Sequence, residues 1–213
     1  MKVKKIVGGP LPTNCYLLTD ETAGVSAVVD PGFESPELDG ALRAAGNVRA
    51  VLLTHAHFDH ITGVHRAVEL TGAKVYLYSE DLPLISNSVQ NVSSIFLASS
   101  VPPFHVDTLL NDGDVIPLGN LKIRVIHTPG HTAGGCCYLA GDALFSGDTL
   151  MRLDCGRTDL PTGSEAQMRA SLRRLAALPG DPHVYPGHGP ETTLEYERRN
   201  SPEMNFADDD ADS

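Results

Sequence analysis

A chain of 213 residues, 41% apolar, with 20 Gly and 15 Pro, can bury one sizeable core and make many turns. Its formal charge of −11, with no basic stripe to offset it, argues against nucleic-acid binding, which relies on Lys and Arg displacing counterions from phosphates. No apolar run approaches the roughly 20 residues of a membrane span, and the opening MKVKKIVGGP lacks an apolar core of signal-peptide length, so a cytoplasmic protein with no membrane partner is expected.

In chain order, alternation and β-branched runs predict strands at Val3 to Val7, Cys15 to Leu18 and Val25 to Val29, the last stopped by Asp30-Pro31-Gly32. Pro36 to Gly46 reads as a helix with Leu38, Leu42 and Ala45 on one face, and Val48 to Leu53 as a buried strand. THAHFDH, Thr54 to His60, begins where that strand stops. A helix near Gly63 to Leu70, a strand at Lys74 to Tyr78 and a looser stretch from Ser79 to Thr108 follow. Further strands are expected at Val115 to Leu118, Leu121 to His127, Gly135 to Leu139 and Ala143 to Phe145. Ser164 to Leu178 carries Met168, Leu172, Leu175 and Ala176 at helical spacing before Pro179-Gly180 ends it. A short strand at His183 to Tyr185 and a helix through Leu194 to Arg198 close the pattern. Two sheets packed face to face with helices outside suit this order, and a single doubly wound sheet is the alternative. One domain over 1–200 is expected, then an acidic tail over 201–213 too polar and charged to bury anything. Cys15, Cys136, Cys137 and Cys155 show no secreted disulfide spacing and are expected to be reduced.

His55 and His57 are two apart at a strand end, so an extended backbone points both to one face. Asp59 and His60 follow where the chain turns, which can aim a second pair at a neighbouring point. One segment could then serve two metal positions. Catalytic zinc takes imidazole and carboxylate ligands and keeps a position for water, so more ligands must come from other strand ends. His131 in TPGHTAG, Asp148 in FSGDTL and His188 in YPGHGP each follow a predicted strand in a tight Gly- or Pro-flanked loop.

THAHFDH with TPGHTAG, SGDTL and PGHG resembles the metallo-β-lactamase superfamily in order and spacing along nearly the whole chain. Within it, SGDTLMRLDCGRTDLPTG and PGHGPETTLEYERRN are most similar to the hydroxyacylglutathione hydrolase (glyoxalase II) branch, particularly its short bacterial members. The resemblance implies an α/β fold, a four-layer αββα sandwich with its active site along one edge of the sheets. It assigns His55, His57 and His131 to a first metal and Asp59, His60 and His188 to a second. Asp148 would bridge the two, and His55, Asp59 and Asp148 would also carry catalytic roles. The implied cofactor is two divalent ions, zinc first, with iron or manganese as alternatives. The implied reaction is hydroxide attack on a small-molecule thioester such as S-lactoylglutathione, with thiolate departure. The protein would act as a monomer or homodimer. Only 25 residues follow His188, one helix and a tail, so the helical domain by which full-length members of that branch help bind glutathione is not expected.

The CGRTD segment also resembles persulfide dioxygenases, which would place one ferrous iron on His55, His131 and Asp148. A non-catalytic protein stapled by metal is a third reading, disfavoured because closed structural sites are usually rich in Cys. The acidic surface counts against a nuclease, and nothing specific speaks for a lactam substrate. Asp30 is read either as a turn residue or as a carboxylate orienting a ligand histidine. His127 is expected to pack or hydrogen-bond, Arg157 to bond backbone carbonyls, and Tyr16 to reach either core or cleft. His65, His105 and His183 are taken as ordinary.

Overall fold

The computed structural model describes residues 1–97 and 100–204. β1 (Lys2–Gly8), β2 (Thr13–Asp20), β3 (Val25–Val29), β4 (Val48–Leu52), β5 (Lys74–Tyr78) and β6 (Thr108–Leu110) form one sheet in that spatial order. Hairpin connections make the first two pairings antiparallel. The next three are parallel, two of them crossed by α1 (Pro36–Ala45) and α3 (Val64–Thr71). The second sheet runs β12 (Thr192–Thr193), β11 (His183–Pro186), β10 (Ala143–Gly147), β9 (Cys136–Ala140), β8 (Leu121–His127), β7 (Val115–Leu118).

Alternation along the strands builds the layers. Cys15, Leu17 and Val28 pack with Leu38 and Leu42 of α1 and Val64 of α3, on the outer face of the first sheet. Tyr16, Leu18, Ala27 and Val29 point the other way, against Ile123, Val125, Tyr138 and Phe145 of the second sheet. That sheet's outer face is covered by α5 (Glu165–Ala176), through Met168, Leu172 and Leu175, and by Leu194 of α6 (Leu194–Asn200). Helix, sheet, sheet, helix is the four-layer αββα sandwich, and the single doubly wound sheet is not formed. Tyr16 belongs to the core, its hydroxyl donating to the Pro186 carbonyl.

Both longer helices start on serine caps: Ser35 accepts from Leu38 N–H and Ser164 from Gln167 N–H, each cap contributing about 1 kcal/mol. Four short elements escape the periodicity argument, namely α2 (Phe58–Ile61), α4 (Ser93–Phe96), β6 and β12, because two to four residues display no period. The segment expected to be loose opens with a 3-10 turn, Ser79–Leu84. At the other end Ser201 and Met204 are buried, Met204 among the residues under α5 and α6, so packing extends past residue 200. The remainder of the acidic segment, 205–213, lies outside the described residues. Among the described residues no helix is long and apolar enough to cross a membrane, and no disulfide forms.

Candidate metal centre

The four segments singled out in the sequence begin where β4, β8, β10 and β11 stop, at one end of the two facing sheets. After β4 the chain bends at Thr54 and reaches His57, whose backbone is extended and which serves as N-cap of α2, so Asp59 and His60 swing into the first helical turn. All seven residues converge. Ligand atoms of His55, His57 and His131 lie within 4.8 Å of one another, as do those of Asp59, His60 and His188, and those of His55, His60 and Asp148. Asp148 faces both the three-histidine group and the Asp59–His60–His188 group: its Oδ2 is 3.4 Å from His131 Nε2 and 3.5 Å from His188 Nε2, its Oδ1 3.4 Å from His60 Nε2.

Outer contacts fix which ring nitrogen is free. Carbonyl oxygens only accept, so His131 Nδ1 donates to Arg157 O at 2.7 Å and His188 Nδ1 to Pro12 O at 3.0 Å. His60 Nδ1 meets Asp30 Oδ2 at 2.9 Å. The Thr54 hydroxyl donates to the same oxygen at 2.6 Å and so accepts from His55 Nδ1 at 3.1 Å. Four imidazoles therefore turn Nε2 toward one another. His57 Nδ1 stands 2.8 Å from His131 Nε2.

This crowd of acceptors has few protons to share. Among the described residues four buried side-chain polar atoms lack a hydrogen-bond partner, and three are here: His55 Nε2, His57 Nε2 and Asp148 Oδ1. Each such atom costs about 1–3 kcal/mol unless something satisfies it, and a cation would satisfy His55 Nε2 and Asp148 Oδ1 together. The donor set therefore fits metal ions.

Electrostatics agree. Burial, then the charge of His60, holds His55 well below the usual imidazole range; burial and His131 push His57 down to about 3. Both rings are neutral near pH 7 and ready to coordinate. Burial would raise Asp148, but His60, His131 and His55 outweigh it and keep the carboxyl far below its ordinary value. Asp59 is lowered in the same way, burial being overcome chiefly by His60 and His188. Conversely, Asp148, Asp59 and Asp30 overcome burial to raise His60, and Asp59 with Asp148 raises His188. Without a cation these two imidazoles carry protons above the ordinary histidine range, and a cation must displace them. Metal uptake should therefore release protons and tighten as pH rises through that range, by up to roughly tenfold per unit for each proton displaced. Calorimetric titrations in buffers of different ionisation enthalpy read this directly, and buffer-independent heats would contradict it.

A cavity of about 840 Å³ opens over the cluster, with His57, Asp59, His131, Asp148 and His188 in its wall. That volume lies within the range of small-molecule sites. Leu11, Val92, Met151 and the stacked pair Phe58–Phe96 (5.2 Å) line it, as do Arg157, Glu165, Arg169 and Arg173.

Residues 8–188 match the sequence profile of the family described as Metallo-beta-lactamase superfamily. The chain belongs to that superfamily. A relative from Bacillus subtilis (strain 168), named "Probable metallo-hydrolase YqgX", is 31% identical over 96% of this chain and 98% of its own. Among solved structures, BLEG-1 B3 metallo-beta-lactamase superposes with a TM-score of 0.89 at 32% identity, covering 96% of this chain and 100% of that one. TTHA1623 in a di-iron-bound form gives 0.82 at 38%, covering 93% and 98%. ETHE1 from Myxococcus xanthus gives 0.77 at 29%, covering 95% and 84%.

In this superfamily member two glycines let backbone run against the ligands. A Cβ at Gly187 would lie 2.1 Å from Asp148 Oδ1 and 2.8 Å from His60 Cε1; one at Gly156 would lie 2.2 Å from Asp148 O and 2.9 Å from His131 Cγ. Gly187→Ala should displace the Asp148 carboxylate by about 1 Å and lower kcat/KM roughly 10²-fold with little change in melting temperature. Activity equal to the parent chain would contradict the placement.

Of the residues set apart in the sequence, Asp30 takes the orienting role, bonded to Thr54 N–H, the Thr54 hydroxyl and His60. His127 stacks on Tyr78 and bonds the Ala133 carbonyl. Arg157 departs from expectation: its side chain is exposed and pairs with Asp159, while its own main-chain oxygen orients His131. A nearby carboxylate two residues on captured the guanidinium before any distant carbonyl could. Asp81 was missed altogether. It is fully buried and accepts from Ala56 N–H, the Thr132 hydroxyl and Gly134 N–H, yet lies in a stretch whose sequence carries no ligand-like spacing.

Proposed function

We propose that this chain is a metal-dependent hydrolase that holds two divalent cations and cleaves small acyl thioesters, in the manner of the hydroxyacylglutathione hydrolases it resembles. The observation that carries this reading is the convergence of five imidazoles and two carboxylates, with buried polar atoms among them that have no hydrogen-bond partner. His55, His57 and His131 would hold one cation, Asp59, His60 and His188 the other, and Asp148 would serve both. Such cations lower the pKa of water to about 7 and stabilise the oxyanion that forms on an attacked carbonyl.

The chain's own part is positional. Asp30, Thr54, Arg157 O and Pro12 O lock the rings so that no reorganisation is needed when charge develops. The Thr13 hydroxyl lies 3.2 Å from Asp59 Oδ2 and 2.8 Å from the Leu11 carbonyl, and shares its one proton between them. The wall of Leu11, Phe58, Val92, Phe96 and Met151 gives an acyl or thioalkyl group an apolar surface. A thiolate leaves readily, so no additional acid is required. Imidazole and carboxylate donors suit zinc, iron and manganese alike, with zinc the first choice. The likeness to a di-iron-bound protein supports a paired site and keeps iron in view.

A persulfide dioxygenase with one iron on His55, His131 and Asp148 is the rival, supported by the likeness to ETHE1. It would leave the buried Asp59 and His60 beside His188 with no cation to hold. That group favours the two-cation hydrolase. Purification without chelator, metal analysis, and assay of S-lactoylglutathione against a panel of acyl thioesters test the proposal. About two ions per chain with thioester hydrolysis supports it; one iron, oxygen uptake on glutathione persulfide and no hydrolysis would replace it.

A further inference from the structure

Asp81 lies on the 3-10 turn after β5 and belongs to none of the ligand groups. Its Oδ2 accepts from Ala56 N–H at 2.9 Å and the Thr132 hydroxyl at 2.8 Å, and its Oδ1 from Gly134 N–H at 2.7 Å. Ala56 sits between His55 and His57, and Thr132 follows His131. All three bonds therefore end on the segments that carry the three-histidine group, one from each sheet. None ends on Asp59, His60 or His188, whose carboxylate partner is Asp30 through His60. Gly134 is shaped to this contact, since a Cβ there would lie 2.5 Å from Asp81 N and 2.7 Å from its Oδ1.

We infer that Asp81 is a positioning residue that sets the affinity of the His55–His57–His131 site separately from the Asp59–His60–His188 site. The two histidines and His131 come from different sheets, 74 residues apart at the His57–His131 contact, and the Asp81 carboxylate clamps the two strand ends at one spacing. Three donors converge on it, so only an acceptor with two free oxygens fits. Either orientation of an asparagine amide turns NH₂ against at least one of them. The inference rests on the two-cation reading above.

The test is a cobalt(II) titration of the metal-stripped full-length chain, followed by visible absorption and chelator competition. Wild type should take up two equivalents, and His188→Ala should identify the step belonging to the Asp59–His60–His188 site. Asp81→Asn should weaken the other step 10–100-fold, the range for residues that orient ligands, and leave the first within about twofold. Thr132→Val removes one of the three bonds and should weaken the same step by less. If Asp81→Asn fails to fold by circular dichroism, Thr132→Val decides in its place. Unchanged steps, equal weakening of both, or weakening of the His188-dependent step would overturn the inference. Failure of wild type itself to bind cobalt would instead remove the two-cation reading, and this inference with it.

Discussion

Asp148→Asn should lower kcat/KM by at least about 10³-fold, roughly 4 kcal/mol of transition-state stabilisation, in a protein that still folds. Asp148 stands between the two ligand groups, within 3.4–3.5 Å of His60, His131 and His188, so one substitution reaches both proposed cation sites. The amide has almost the same volume, and burial of a neutral group costs less than burial of an ion, so packing should suffer little and the melting temperature should fall only as far as metal is lost. What it loses is charge. Two neighbouring cations repel, and removing the anion between them should also reduce metal content below two per chain. Steady-state kinetics with metal analysis and circular dichroism check the expectation. A variant with full metal and activity above a tenth of the parent would show that Asp148 is not shared between the sites.

Stripping metal with a chelator should lower the melting temperature by roughly 10 °C, and adding it back should restore it. Ligand that binds only the folded state stabilises by about 4 kcal/mol when free cation is a thousandfold above its dissociation constant. For a domain of this size each kcal/mol moves the midpoint by about 2–4 °C. The structural cause is the cluster itself, where His55 Nε2, His57 Nε2 and Asp148 Oδ1 are buried without partners and Asp59 and Asp148 share one pocket. The gap between stripped and loaded protein should widen as pH rises, because the raised His60 and His188 give up their protons more easily there. Scanning calorimetry near pH 6 and pH 8 measures it. Equal midpoints with and without metal would mean that the cluster binds no ion tightly.

Much of the fold was legible because the two sheets announce themselves by alternation. Cys15, Leu17 and Val28 against Tyr16, Leu18 and Val29 show two buried faces, which only a sheet covered on both sides can use. Elements of about one period, such as α2 and β12, are too short to repeat and gave no such signal, and the first of them carries Asp59 and His60.

The sequence by itself determined the seven candidate ligands, since imidazoles and carboxylates in Gly- and Pro-flanked loops at strand ends are written locally. Only the tertiary structure decided what holds and separates them. Asp81 reaches residues 25, 51 and 53 positions away, and His131 and His188 are oriented by the main-chain oxygens of Arg157 and Pro12, whose side-chain identity is irrelevant to that contact. A backbone carbonyl is present at every position, so composition cannot mark which one will accept a ligand's proton. That choice is made when the two sheets pack and bring distant strand ends to one edge.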